Sequence, residues 1–209
     1  MADDCGCQGD TDRASADPAY RRALVAVVGL NLGFGAIELA GGFIADSQAL
    51  KADALDFLGD GSITLVGLFA LAWQPRDRAG VALAQGVFLA IIGCAVIGWA
   101  IWRAFNAIPP DAGLMGGIGV AALLVNLAAA GLLVRFRKAG DAQAKAIWLF
   151  SRNDALNNVA VIVAAALVAW THSAWPDLIV AGVIAAVFLQ SAWEIVRDAR
   201  HELTSLRRA

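Results

Sequence analysis

Long apolar segments alternate with short polar connections along most of the chain. An α-helix needs about 20 mainly apolar residues to cross a bilayer, because no water is present there to satisfy free backbone groups. Six segments meet this requirement. They are residues 23–44, 52–73, 81–102, 114–136, 146–170 and 175–197. The pattern predicts an all-α membrane protein with six transmembrane helices.

The remaining residues leave no room for a second folded domain. Residues 1–20 are polar and acidic, and they lack the short apolar core and the small-residue cleavage site of a signal peptide. We therefore interpret residues 1–20 as a cytoplasmic tail, residues 21–199 as one six-helix transmembrane domain, and residues 200–209 as a short cytoplasmic tail.

The composition agrees with a bilayer as the solvent. Of the 209 residues, 59% are hydrophobic and 16% are charged, which is more apolar and less charged than an ordinary soluble domain. The net charge is -2 and the basic residues are scattered, so the sequence does not indicate a basic surface for nucleic-acid binding. Cys5 and Cys7, with acidic neighbours, could bind a soft cation or belong to a disordered tail, and their role stays open.

The positions of the basic residues indicate the membrane topology, and those of small residues indicate where helices pack closely. Most of the 16 Lys and Arg residues lie in the N-terminus, in the connections after the second and fourth segments, and in the C-terminal tail. The positive-inside rule then places both termini in the cytoplasm, as in a multi-pass protein of a bacterial inner membrane. Close helix approach is expected at four glycines, Gly29, Gly33, Gly116 and Gly117.

Acidic residues interrupt the apolar segments, among them Glu38, Asp53, Asp56, Asp60 and Asp154. An Asp at the centre of a membrane helix costs roughly 2.5 to 3.5 kcal/mol, so each such residue requires a reason. On the second helix, Asp53, Asp56 and Asp60 fall within about 60° of arc. Asp56 and Asp60, one turn apart, can bind one cation together. Asp53 lies close enough to the helix start to serve as a cap instead.

Helix 5 contains a polar interruption at membrane depth, residues 151–158. Such an interruption usually marks a cavity. Asp154 is expected to meet the acids of helix 2, and Asn157, one turn further along, can offer its side-chain oxygen. Arg152 either neutralises a neighbouring acid or extends its guanidinium to the interface.

In these residues the chain resembles the cation diffusion facilitator family. The resemblance rests on Asn31, Glu38, Gly41 and Gly42 in helix 1, on the stretch SQALKADALDFLGD at 47–60, and on the Asp-Ala-Leu run at 154–156. It implies a six-helix bundle without a prosthetic group, which transports Zn²⁺ through a tetrahedral site shared by helices 2 and 5. Asp56, Asp60 and Asp154 occupy three of the family's four ligand positions.

The chain departs from this family at two points. Zinc-transporting members usually have a His four residues before the helix 5 Asp, where this chain has Phe150. We propose Asn157 as the replacement, with Asn158 or a water next. Family members also commonly add a C-terminal cytoplasmic domain, whereas this chain ends at Ala209. We therefore expect a homodimer formed through transmembrane helices and less switch-like transport.

The expected function is export of a divalent transition-metal cation from the cytoplasm in exchange for protons, because metal and protons compete for the same carboxylates. Zn²⁺ is the first candidate, followed by Cd²⁺ and Co²⁺, while a site made only of oxygens also suits Mn²⁺ or Fe²⁺. Two rivals are a membrane-embedded metal-dependent hydrolase, which lacks a convincing general base, and a membrane scaffold. We do not expect an enzyme.

Overall fold

A computed structural model describes residues 18–70, 74–106, 108–134 and 142–206, with the side chains of 70, 75, 78, 106 and 142–153 outside the description. Within these ranges the chain forms six α-helices and no strand. They are α1 (Pro18–Ile44), α2 (Gln48–Ala70), α3 (Pro75–Asn106), α4 (Ala112–Leu133), α5 (Ala142–Thr171) and α6 (Trp175–Leu206). The predicted all-α fold is confirmed.

Five of the six described helices are long and apolar enough to cross a membrane, and the exception is α2. Its 23 residues include Lys51, Asp53, Asp56 and Asp60, so every stretch of 18 residues within it contains at least three charges. A helix of this length is about 34 Å long at 1.5 Å per residue. α2 is therefore long enough to cross a membrane, and it differs from the other five helices in the charged side chains along its length.

α2 occupies the centre of the bundle. The closest packing joins α1 to α2, α3 to α6 and α4 to α5, and α2 also contacts α3, α4, α5 and α6. The helix that carries three acids in its middle is thus surrounded by the other five. This position explains how its polar side chains avoid lipid, where an unpaired charge is costly.

The described core lies between the helices, and large apolar side chains cover the outside. One buried cluster joins Leu50 of α2, Met115 of α4, Val161 of α5 and Ile184 of α6. The outward-facing apolar side chains include Phe88, Ile91, Trp99, Trp170, Ile179 and Val183. An exposed apolar surface of this extent is typical of a protein whose outer solvent is lipid.

Three of the connections meet at one end of the bundle. The backbone N–H of Asp111, before α4, donates to the carbonyl oxygen of Ala45 at 2.9 Å, and Ser47, before α2, donates to Asp177 at the start of α6. We call this the connection end, made of residues 45–47, 108–111 and 172–174. The opposite end, where α1 begins and α6 finishes, is the terminal end.

The expected close approach at glycines occurs, but mostly at other positions. Gly29, Gly33 and Gly117 face open space, and only Gly116 meets another helix, with a distance of 3.5 Å between an added Cβ and the Cβ of Ala165. Tighter contacts join other faces of the helices, including those of α1 and α2. A Cβ at Gly35 would lie 3.0 Å from Leu58, and one at Gly61 would lie 2.8 Å from Leu32. The sequence alone could not distinguish inward-facing from lipid-facing glycines.

Candidate metal centre

Three acids of α2 and one of α5 face each other across the interior of the bundle. The charge of Asp154 on α5 acts on the nearby charges of Asp56, Asp60 and Asp53 of α2. Asp56, Asp60 and Asp154 are partly exposed, whereas Asp53 is only 1% exposed. The structure thus places all of the acids predicted on these two helices in one neighbourhood.

Asp56 lies at the centre of this group. Its carboxylate is within side-chain hydrogen-bonding reach of both Asp154 and Asn157. Asp60, one turn further along α2, interacts with Asp56 through charge. Of the four residues predicted as metal ligands, Asp56 thus lies within reach of Asp154 and of Asn157, and Asp60 is its electrostatic neighbour.

Two carboxylates in contact require a cation or a proton between them. Two like charges about 4 Å apart repel by about 4 kcal/mol at an effective dielectric constant of 20, which exceeds the gain from a single hydrogen bond. A divalent ion between Asp56 and Asp154 would convert this repulsion into attraction. The contact between Asp56 and Asp154 is therefore the feature of the structure that most favours a cation-binding role.

Asn157 acts as a donor in this arrangement. An ionised carboxylate only accepts hydrogen bonds, so a hydrogen bond between the Asn157 amide and an ionised Asp56 uses the N–H group of the amide. Its oxygen becomes available to an ion when the amide rotates. Asn157 can thus hold Asp56 in place while the site is empty and contribute an oxygen ligand when an ion binds.

The site is not closed around an ion. Among the described residues, no three His, Cys, Asp or Glu side chains are close enough together to hold one as they stand. The side chain that must approach is Asp60, because Asp56 and Asp154 are already in contact. Its position on the same helix face allows a rotamer change to bring it toward Asp56.

Asn158 lies one turn beyond Asp154, toward the connection end of α5. Its side chain is 0% exposed, and both of its polar atoms lack a hydrogen-bond partner in the described part of the chain. A buried amide without partners costs free energy. Asn158 is therefore a second side chain whose oxygen is free to contact an ion or a bound water.

A second pair of acids lies beside the first. Glu38 of α1 and Asp53 of α2 are in side-chain contact and are 0% and 1% exposed. None of their four oxygens has a donor among the described residues. The sequence pattern identified both acids as unusual but missed their pairing, because a pattern along one chain does not tell which helices are neighbours.

The interpretation of Asp53 as a helix cap is wrong. Ser47 caps α2, since its Oγ accepts from the backbone N–H of Leu50 at 3.1 Å. Asp53 lies in the second turn of α2, away from free backbone amides, and its carboxylate faces Glu38 instead. Its cost of burial therefore requires a reason other than capping.

Asp53→Asn is expected to stabilise the chain. The new amide donates a hydrogen bond to Glu38 where two acceptors now face each other, which should contribute about 1 to 3 kcal/mol. Thermal unfolding in detergent at pH 8 measures the change, and Asp198→Asn, an exposed position on α6, is the matched control. A lower melting temperature for Asp53→Asn than for the control would contradict this interpretation of the pair.

Other residues considered from the sequence contribute no geometry to this site. Cys5 and Cys7 lie outside the described residues, as do the side chains of Phe150 and Arg152. Cys94 of α3 is exposed. His172 follows α5 at the connection end and is also exposed.

The chain is similar to several bacterial metal transporters. It is 29% identical to the zinc transporter ZitB of Escherichia coli K12 over 194 residues, which cover 87% of this chain and 62% of the relative. It is also 29% identical to the cadmium, cobalt and zinc/H⁺-K⁺ antiporter of Bacillus subtilis over 189 residues, covering 82% of this chain and 59% of the relative. The chain thus spans about three fifths of the length of these relatives.

The similarity extends over nearly all of the described bundle. The family model for the cation efflux transmembrane domain matches residues 24–204, a range that includes the paired acids of α1, α2 and α5. The matched region also covers all or most of each of the five described helices that are able to span a membrane. This chain belongs to the cation efflux family, the cation diffusion facilitators.

Proposed function

We propose that this protein exports a divalent transition-metal cation from the cytoplasm in exchange for protons, with Asp56, Asp60, Asp154 and Asn157 as the metal ligands. The observation that carries this proposal is the contact of Asp56 with both Asp154 and Asn157 inside an apolar bundle. Membership of the cation efflux family supports the transport of metal and argues against an enzyme.

Zn²⁺ is the first candidate for the cargo. The relatives described above are a zinc transporter and an antiporter of cadmium, cobalt and zinc. Four ligands from two helices also suit the tetrahedral geometry that Zn²⁺ accepts. Carboxylate and amide oxygens bind Mn²⁺ and Fe²⁺ as well, so these ions are the alternative cargo.

Exchange for protons follows from the chemistry of the ligands. The carboxylates must be ionised to bind a metal, and a poorly hydrated pair such as Asp56 and Asp154 retains a proton when no metal is present. Metal and proton therefore compete for one site. If the site opens to each side of the membrane in turn, this competition couples export of the metal to entry of protons.

Six membrane spans and cytoplasmic termini complete the proposal. α2 is shielded by five helices and reaches the connection end, which is consistent with its being the sixth span. The cytoplasmic termini follow from the basic residues of the sequence. We also propose a homodimer joined through transmembrane helices, in which the exposed apolar faces provide the contact.

The rival of a metal-dependent hydrolase requires a general base within reach of a metal-bound water. In the described part of the chain, the side chains within hydrogen-bonding reach of Asp56 are Asp154 and Asn157, which the metal itself would occupy, and the neighbouring Asp53 faces Glu38 instead. A scaffold that uses acids to pair helices would avoid two carboxylates in contact, since their repulsion opposes pairing. The geometry thus favours transport over both rivals.

A proton gradient is expected to accelerate zinc transport. The full-length chain is reconstituted into vesicles that contain a zinc-sensitive dye, and Zn²⁺ is added outside. An acidic interior should raise the initial rate of zinc entry by at least about fivefold, because each pH unit supplies about 1.4 kcal/mol per proton exchanged.

Two controls separate coupling from transport. An ionophore that collapses the pH gradient should remove the acceleration, and empty vesicles should show neither effect. Equal rates with and without the gradient would contradict proton exchange. No zinc entry under either condition would contradict transport itself.

A further inference from the structure

The short connection between α1 and α2 is built to start α2 at one defined residue. Asp46 adopts a positive φ of 54°, and the N–H of Ser47 donates to the carbonyl oxygen of Gly42 at 3.0 Å. This pattern is the usual way in which a helix ends on a left-handed residue. The Ser47 side chain then caps α2 through the N–H of Leu50.

The first two amides of α2 are satisfied from another helix. Asp177, in the first turn of α6, accepts from the N–H of Gln48 through Oδ2 at 2.8 Å and from the N–H of Ala49 through Oδ1 at 3.0 Å. The same Oδ1 accepts from the hydroxyl of Ser47 at 2.6 Å. One carboxylate on α6 thus binds three donors at the start of α2.

This contact is buried and is electrostatically favourable. Asp177 is 2% exposed, and Ser47 and Gln48 are 0% and 1% exposed. An anion at a helix N-terminus is stabilised by the helix dipole and by the free amides. Charged hydrogen bonds shielded from water are among the strongest in proteins. Asp177 therefore holds the first turns of α2 and α6 together at the connection end.

Further contacts close the same end of the bundle. Arg103 at the end of α3 forms an ion pair with Asp46 at 2.7 Å and donates to the carbonyl oxygen of Ile108 at 3.0 Å. Lys51 of α2 lies 3.7 Å from Asp46. Arg103 and Lys51 therefore join α3 and α2 to the connection that Asp177 already holds.

Exposure of the acids differs along the bundle axis. Asp53, one turn nearer to the connection end, is almost fully buried, as is Asn158 on α5. Asp56, Asp60 and Asp154, nearer to the terminal end, are partly exposed. Among the described side chains, those on the Asp177 side of the candidate metal centre are therefore the more deeply buried ones.

We propose that Asp177 is the latch of a gate at the connection end, and that a metal ion can leave the site in that direction only after this carboxylate releases the start of α2. The proposal rests on the transport function proposed above. Because α2 carries Asp56 and Asp60, Asp177 also positions these two acids relative to α6. Asp177 contacts no metal, so it is a positioning residue and not a ligand.

The latch is tested by amide hydrogen exchange on the full-length chain in lipid nanodiscs, together with zinc transport in vesicles. In Asp177→Ala, the amides of Gln48 and Ala49 should exchange at least about tenfold faster, because both lose a charged acceptor. Asp177→Asn retains one carbonyl oxygen and should show a smaller increase. Asp198→Ala, an exposed acid on the same helix, is the matched control.

Zinc transport distinguishes a latch from a contact that only supports the fold. In Asp177→Ala, the maximal rate should fall about tenfold, while the half-saturating zinc concentration should change less than about threefold. The reason is that the variant retains all of the metal ligands but loses the contact that keeps the gate closed. Asp177→Asn should recover part of the rate.

Three results would overturn the latch. They are unchanged exchange at Gln48 and Ala49, equally faster exchange throughout all six helices, or unchanged zinc kinetics. If the intact chain moves no Zn²⁺, the proposed function fails on its own. The exchange pattern at residues 48 and 49 then still decides whether Asp177 holds this end closed.

Discussion

Asp56→Asn is expected to lower zinc transport by at least about 100-fold, a loss larger than that usually caused by removing a group that only supports a ligand. The substitution keeps the shape of the side chain but removes the charge at the centre of the group. Asp56 contacts both Asp154 and Asn157. No other described side chain joins the α2 acids to the polar turn of α5 in this way.

The measurement combines zinc flux in vesicles with calorimetric zinc titration in detergent. Both flux and binding should be lost in Asp56→Asn, whereas Asp198→Asn on the exposed face of α6 should retain both. Melting temperatures of the two variants should differ little from that of the original chain. Zinc transport at the original rate in Asp56→Asn would exclude Asp56 as a ligand.

The hydrophobic pattern predicted the helices because the bilayer imposes their length. Each of the six predicted segments corresponds to a described helix, and α1 to α6 appear in the predicted order. The predicted bounds are shorter at polar ends. α3 begins at Pro75 rather than at residue 81, and α6 continues to Leu206 rather than ending at 197. Hydropathy detects where lipid begins, but a helix continues into polar surroundings as long as its backbone bonds are satisfied.

The neighbourhood of the acids was also predictable, because charges in a membrane are expected to share one cavity. Their detailed pairing was not. Asp56 and Asp154 lie on different helices, and so do Glu38 and Asp53. Helical periodicity arranges residues around one axis and does not determine the rotation of one helix against another. That Asp56, Asp60, Asp154 and Asn157 bind metal stays a prediction.

The hydrophobic pattern could not predict contacts between residues that are far apart in the sequence. Asp177 and Ser47 are 130 residues apart, and each taken alone is an ordinary polar residue near a helix start. The same limit applies to the glycines, where Gly35 and Gly61 pack tightly and Gly29 and Gly33 do not. Only the folded bundle determines which faces meet.

Asn157 is proposed as the fourth ligand, because Phe150 stands where the family pattern has a metal-binding His. Asn157→Ala removes both the N–H donated to Asp56 and the oxygen proposed for the metal. We expect zinc affinity to fall by about 10- to 100-fold, the range found when a group supporting or completing a metal site is lost. Calorimetric titration with Zn²⁺ measures this, with Asn126→Ala of α4, another buried amide, as the control.

Asn157→Asp then separates the two roles that Asn157 can have. A carboxylate is a better metal ligand than an amide oxygen but has no N–H to donate to Asp56. If Asn157 is a ligand, the Asp variant should bind Zn²⁺ at least as tightly as the original chain, since the ion neutralises the added charge. If Asn157 only orients Asp56, the new carboxylate repels Asp56 and Asp154, and affinity should fall at least as far as in Asn157→Ala. We expect the first result, and the second would remove Asn157 from the ligands while leaving Asp56, Asp60 and Asp154 in place.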